Sequence, residues 1–339
     1  MHKAVRHGMA WRQEYDPLGT VLVPAGAWWG AQTQRAVENF PLSGLKPHPL
    51  CIDALVIIKI AAAQANMALQ GLAPEPARAI MQAGQEILAG LWRDQFVVDV
   101  FQAGAGTSLH MNINEVLANR AGTLLGDPPG SYRQVHPNDH VNLGQSSNDV
   151  FPTAMRLAVL MELRTLYPEG EALVAALTAK AGEFAHVHKA GRTHLNDALP
   201  LTLGDELQAY ADALTTDLAR IRQGAQELLQ LGIGGTAVGS GANALPGYQS
   251  LVIENLARLT SLDLRPAPNL FEAMQNLNPL AQSAAHLKLL ALTLTRVAND
   301  FRLLASGPKT GLAELLLPAV QPGSSIMSGK INPSICEAL

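Results

Sequence analysis

Residues 205–228, "DELQAYADALTTDLARIRQGAQEL", decide the fold. Leu207, Tyr210, Leu214, Leu218, Ile221, Ala225 and Leu228 recur at spacings of three and four, which places them on one face of an α-helix of roughly six turns. A second stripe, Leu287, Leu290, Leu294, Val297, Phe301 and Leu304, runs to a sharp stop at Gly307-Pro308. A long helix with so narrow an apolar stripe buries it against other long helices, so the pair predicts a mostly α protein built on a helical bundle. The segment from Thr153 towards Lys189 is helical in composition, with a break predicted at the "YPEG" of residues 167–170. Two shorter helices are predicted over 52–72 and 76–92, whereas the first fifty residues show no sustained period. No alternation of strand and helix and no internal repeat is found.

Composition supports this reading and excludes others. Hydrophobic residues make up 48% of the 339 and charged residues 15%, enough for a substantial core, while aromatics reach only 5%. Abundant Ala and Leu favour helix over sheet. A net charge of −4 argues against a nucleic-acid partner, which calls for a basic face. Two cysteines, Cys51 and Cys336, form neither a disulfide framework nor a zinc set. No apolar run is expected to cross a membrane, and "MHKAVRHGMAW" lacks the apolar stretch of a signal peptide, so a cytoplasmic protein is expected.

Four segments between the helices are neither periodic nor bland: 102–114, 136–148, 191–204 and 321–339. Each joins glycine to Thr, Ser, Asn or His, residues that donate hydrogen bonds without adding bulk charge, and four loops of one chemistry suggest one shared site. Thr107 and Ser108 follow two glycines at a predicted helix start, where an anion site or plain N-capping would each account for them. Ser146, Ser147 and Asn148 are three donors in a row; a cap explains one, and the surplus suits a carboxylate. His136, Asn138 and Asp139 form a separate turn after Arg133 and lack the set of ligands a metal needs. Thr193 and His194 precede a turn with Asp197 three residues on, which makes acid/base work by His194 worth considering. Asp205 is expected to cap the long helix. In the last loop Gly323 and Gly329 bracket Ser324, Ser325 and Ser328, with Lys330 and Asn332 beyond, a composition that fits either a closing lid or a frayed tail.

"GIGGTA", 232–237, fits a dinucleotide fingerprint with Ala in the last place, and Glu254 lies near the expected ribose distance. That string has meaning only between a strand and a helix. Here it follows the end of a long helix, so a Gly-rich packing turn or a wall of the substrate pocket is the better reading.

Together these segments resemble the fumarase/aspartase superfamily. "GSSIMSGKIN" (323–332) is similar to its signature loop, and "HPNDHVNLGQSSNDVFPTAM" (136–155), "GRTHLNDALPLTLG" (191–204) and "GAQTQRAVENFPLSG" (30–44) are similar to further blocks, most like those of class II fumarases. The resemblance implies a central helical bundle, four copies of which assemble into a homotetramer with a twenty-helix core and active sites shared between subunits. It implies an N-terminal domain over 1–140 and an incomplete bundle domain over 141–339, with the last bundle helices and a small C-terminal domain missing from the chain.

By the same resemblance Thr107, Ser146, Ser147, Asn148, Thr193, Lys330 and Asn332 would bind a small dicarboxylate. Ser324 would remove the carbon-bound proton, and His194, supported by Glu337, would orient the water or leaving group. Arg133, His136, Asn138 and Asp139 would form a secondary anion site. No metal or organic cofactor is implied. Proton removal beside a carboxylate builds a doubly charged aci-carboxylate, which explains the donors; a serine base needs a dry, electropositive pocket. "QTQRAVENFP", "QSSND" and "NPSICEA" favour hydration of fumarate to malate. "GAGTS", with Ala105 where fumarases usually carry Ser, and "NLFEAMQN" lean towards ammonia addition giving aspartate. An inactive, truncated member is a third expectation. His110 departs from both groups, which generally carry Asn there, and Ser328 replaces the usual Pro.

Overall fold

The computed structural model describes residues 10–339. In chain order the elements are β1 (Trp11–Asp16), β2 (Gly19–Pro24), α1 (Ala31–Asn39), α2 (Pro49–Ala68), α3 (Pro74–Leu88), α4 (Thr107–Leu124), α5 (Ser147–Glu183), β3 (His188–Thr193), β4 (Asn196–Thr202), α6 (Leu203–Leu228), β5 (Gln230–Leu231), α7 (Tyr248–Thr260), β6 (Arg265–Pro266), α8 (Leu270–Gln275), α9 (Asn278–Leu304) and α10 (Ser334–Ala338). The mostly α reading holds. The chain forms two compact units, one of residues up to Leu163 with Gln226–Leu280, the other of Arg164–Ala225 with Ala281–Leu339.

In the first unit the aperiodic N-terminal stretch contains an element that sequence reading missed, the antiparallel hairpin β1–β2. Asp16 accepts from Leu18 N at 2.9 Å in its turn, and Gly19 takes φ +112°, a conformation open to glycine. The hairpin buries Glu14, Val21 and Val23. Glu14 accepts from Ala31 N at 3.0 Å, and Glu115 of α4 accepts from Gly30, Gln32 and Thr33 N at 2.9–3.1 Å, so two carboxylates satisfy the free amides at the start of α1.

The expectation about membrane length needs correction. By length and composition α2 is long and apolar enough to span one, with a mean hydropathy of 1.6 over its best window. In the fold 72% of that window is buried, as a core helix against α3 and α7. Gly84 of α3 faces Ile60 and Val56, and Asn255 of α7 donates to Ala61 O of α2 at 3.2 Å. Lys59 lies in the middle of α2, fully buried.

In the second unit the segments of α5, α6 and α9 lie together. Every residue of the quoted stripe from Leu207 to Leu228 is buried. The predicted break at 167–170 does not occur: α5 runs unbroken through Pro168. Gly170 lets Leu218 of α6 pack directly on the α5 backbone, and Leu177 and Ala181 are buried beyond it, so packing outweighs the hydrogen bond that proline lacks. Tyr210 Oη donates to Asp300 Oδ2 at 2.9 Å and Thr293 Oγ1 to Asp217 Oδ2 at 2.6 Å, pinning α6 to α9. Asp205 is not the N-cap of α6. Thr202 occupies that place, and the two exchange hydrogen bonds at 2.9 and 3.0 Å as a capping box.

Candidate functional site

In the first unit, Ala105 (φ +57°) and Gly106 (φ +67°) turn the chain sharply into α4, which begins at Thr107. Thr107 is exposed and does not cap the helix; its hydroxyl donates to Gly104 O at 3.1 Å. At the start of α5 the capping work belongs to Ser146, whose Oγ accepts from Asn148 N at 3.2 Å, with Asp149 accepting from Ser146 N at 2.9 Å in return. That division leaves the Ser147 and Asn148 side chains out of the cap. Both line a cavity of about 550 Å³ with Ala105, Gly106, Phe151 and Val238. Thus Ser147 and Asn148 converge with Ala105 and Gly106 on one concave face, and Thr107 and Ser146 are their neighbours in sequence outside its lining.

The glycine-rich turn forms another wall. A short strand, β5, does precede it, and β5 pairs in parallel with β6 across α7, a two-residue strand–helix–strand crossover that sequence reading did not anticipate. Its amides are nonetheless taken. Asp149 Oδ2 accepts from Gly234 N at 3.0 Å and Thr236 N at 2.9 Å, so the nest holds the chain's own carboxylate where a phosphate would sit. Asn148 Nδ2 donates to Ala237 O at 2.8 Å, and Ala237 and Val238 line the cavity. Burial pushes Asp149 up to about 6, against the pull of its three N–H donors and of Lys59.

Beneath the cavity lies a group that sequence reading missed as a unit. Lys59 Nζ is 2.6 Å from His110 Nε2, and His110 Nδ1 is 2.6 Å from Ser147 Oγ. Lys59 also donates to Asn142 Oδ1 and Gln145 Oε1, both at 2.9 Å. Burial holds Lys59 well below the usual lysine range, and burial together with the Lys59 charge holds His110 below the usual imidazole range. The available signal was a single lysine inside "VIIKIAAA" and a histidine in an otherwise apolar face.

Thr193, His194, Ser324, Lys330, Asn332 and Glu337 belong to the second unit. Thr193 pairs with Asn196 at the end of the β3–β4 hairpin, and His194 and Leu195 take φ of +55° and +61°. Two successive left-handed residues make a tight hairpin corner. His194 is exposed there, and among the described residues no hydrogen bond joins it to Asp197, which pairs in register with Arg192.

The last loop is closed on itself. Gly323 N donates to Lys330 O at 2.9 Å, and Asn332 Nδ2 donates to Gly323 O at 2.8 Å. Ser324 Oγ accepts from Ile326 N at 3.3 Å and Met327 N at 3.0 Å. Two amides aimed at one hydroxyl oxygen favour negative charge on it, which is what a serine base requires. Lys330 is exposed, and Glu337 lies in α10.

Arg133, His136, Asn138 and Asp139 occupy one short stretch back in the first unit. Arg133 is turned to Asp127 at 3.0 Å. His136 caps the turn at Pro137–Val141, its Nδ1 accepting from Asn138 N and Asp139 N at 3.2 Å. No cluster of three or more His, Cys, Asp or Glu side chains suited to a metal occurs among the described residues.

Gly106 is the tightest point of the site. A Cβ there would overlap the Phe151 ring, and the left-handed backbone disfavours any other residue. Gly106→Ala is expected to lower unfolding free energy by about 2 kcal/mol, the sum of a left-handed penalty and local overpacking. Thermal unfolding checks this, and Gly106→Ala combined with Phe151→Ala is expected to lose less than the sum of the two changes.

A sequence model described simply as lyase matches residues 19–339. The chain is 47% identical to an aspartate ammonia-lyase of Bacillus subtilis over 329 residues, 97% of this chain and 69% of that protein. It is 49% identical to a class II fumarate hydratase of Thermus thermophilus, over 98% of this chain and 72% of the relative. Among solved structures, a cobalt-bound fumarate lyase:delta crystallin from Brucella melitensis matches with a TM-score of 0.93 at 47% identity, covering 97% of this chain and 72% of that one. A class II fumarase from Schistosoma mansoni matches with the same TM-score at 38% identity, with the same coverage.

Proposed function

Because this chain belongs to the fumarase/aspartase family of lyases, we propose that it is a fumarate hydratase, adding water across the double bond of fumarate to give malate. Relatives of both kinds match at similar identity, so the choice rests on the site. One observation carries it: none of the residues lining the cavity at Ser147 and Asn148 is a carboxylate. At this wall the ammonium group of aspartate would meet no counter-charge, leaving Glu337 as the one carboxylate assigned near the added group, whereas the neutral hydroxyl of malate needs only a hydrogen-bond partner. The "QSSND" and "NPSICEA" segments support the same choice by resemblance. Ala105 is the residue that favours ammonia addition.

In this reading Ser147, Asn148 and Thr107 hold one carboxylate, and Thr193, Lys330 and Asn332 complete the dicarboxylate site. Ser324 takes the carbon-bound proton, its oxygen supported by Ile326 N and Met327 N. Negative charge then develops on the neighbouring carboxylate as an aci-carboxylate, and Lys330 supplies the compensating positive charge. His194, with Glu337, orients the water. Asn332 is tied to Gly323 O in the present arrangement and must release it to reach substrate. The reading draws these residues from different subunits of a homotetramer, as the family resemblance implies.

Purified protein is incubated with fumarate, with and without ammonium, and the products are identified by proton NMR. Malate formed independently of ammonium is the expected result. Aspartate formed only with ammonium would replace the hydratase reading with an ammonia-lyase one. The absence of both products would remove both activities.

A further inference from the structure

The buried group under Ser147 has a defined hydrogen-bond polarity. Asn142 Nδ2 donates to Gln145 O at 3.2 Å, and Gln145 Nε2 donates to Val141 O and Leu143 O at 3.1 and 3.2 Å. Both amides therefore present their oxygens to Lys59 and accept from it. An ammonium at Lys59 has three hydrogens; two go to these oxygens, and the third points at His110 Nε2, 2.6 Å away. Lys59 is completely buried and His110 is 1% exposed, so water does not substitute for any of these partners. Burial disfavours the charge at Lys59, and the electrostatic pull of Asp149, the buried carboxylate three residues beyond the Ser146 cap, opposes that effect. A neutral imidazole that accepts at Nε2 carries its one hydrogen at Nδ1, and Nδ1 is 2.6 Å from Ser147 Oγ. With one lone pair of that oxygen occupied, the Ser147 hydroxyl hydrogen is left to point into the cavity.

We propose that Lys59 and His110 form a buried relay that fixes the Ser147 hydroxyl as a hydrogen-bond donor into the cavity, with His110 as a positioning residue for one carboxylate of the ligand. The assignment rests on Ser147 belonging to the dicarboxylate site. The opposite polarity is chemically available: an amine at Lys59 would accept from Nε2–H, Nδ1 would accept from the Ser147 hydroxyl, and Ser147 would turn lone pairs towards the ligand. A carboxylate would then be repelled. The histidine tautomer therefore reports which way the serine faces, and a shorter side chain at position 110 could not reach both partners.

The test uses the intact protein labelled with 15N-histidine, together with succinate, a dicarboxylate with no double bond to react. Imidazole nitrogen shifts are expected to show His110 neutral and protonated at Nδ1. A proton at Nε2, or an imidazolium, would overturn the relay. Calorimetric titration with succinate is expected to show about tenfold weaker binding for Ser147→Ala and for His110→Gln, the loss of one hydrogen bond to a charged group. In the Ser147→Ala background His110→Gln is expected to add nothing further, because its effect passes through that hydroxyl. Independent, additive losses would overturn the positioning role. Should His110→Gln fail to fold, the tautomer of the unmodified chain decides the matter alone. Protein that binds no succinate while His110 carries its proton at Nδ1 would overturn the dicarboxylate reading and leave the relay intact.

Discussion

Ser324→Ala is expected to lower kcat for fumarate hydration by about 10²–10⁴-fold, the range for losing a positioned proton-transfer group. Ile326 N and Met327 N both point at Ser324 Oγ, so the loop concentrates partial positive charge around one oxygen. Ser325, the neighbouring serine, is exposed. Ser325→Ala is accordingly expected to change kcat by no more than a few fold. KM should move little in Ser324→Ala, since Oγ is assigned to the carbon-bound proton and not to a carboxylate. Initial rates across fumarate concentrations separate the two parameters, and an unchanged kcat would take Ser324 out of the chemistry.

The largest stability effect is expected at Asp149. Its carboxylate accepts from Ser146, Gly234 and Thr236 amides and is fully buried. Asp149→Ala strands those amides and removes the negative charge acting on Lys59, a loss on the order of 3–5 kcal/mol in unfolding free energy. Asp149→Asn keeps one acceptor oxygen and should lose less. The pH dependence has a definite sign. The folded chain raises this group from 3.8 to about 6, so it binds the proton more tightly than the unfolded chain does. The stabilising contribution of Asp149 is therefore full below pH 3.8, declines as pH rises to about 6, and is flat above. The gap between the unmodified chain and Asp149→Ala should narrow across that window in denaturant titrations. A gap that widens would show that the carboxylate is stabilised as an anion.

Much of this organisation is legible in the chain itself, for identifiable reasons. The 207–228 stripe could be read because α6 buries one face and leaves the other to solvent, and periodicity reports that contrast directly. The same method misses β1–β2, where a short hairpin buries only three positions, and one of them is Glu14. It errs at Pro168, because local propensity does not register that Leu218 packs onto the backbone at Gly170. Ser146–Asn148 is legible because three donors exceed the needs of one helix end; in the fold Ser146 caps α5, and Ser147 and Asn148 line the cavity. Lys59 escaped notice since a lone cation in an apolar helix carries no periodic signal; its meaning comes from Asn142, Gln145 and His110, which lie 51–86 residues away.

The three hydrogen bonds to Asp149 also bear on how this region opens. The amides of Ser146, Gly234 and Thr236 come from two distant stretches of chain, yet all three end on one carboxylate. Such groups are released together or not at all, so in native-state hydrogen exchange they form one cooperative unit with a shared opening free energy. Occupancy of the cavity, whose wall includes Ser147 on one stretch and Ala237 on the other, would slow exchange at all three by a common factor. A ligand would thus be visible as a change in deuterium uptake at residues it never touches.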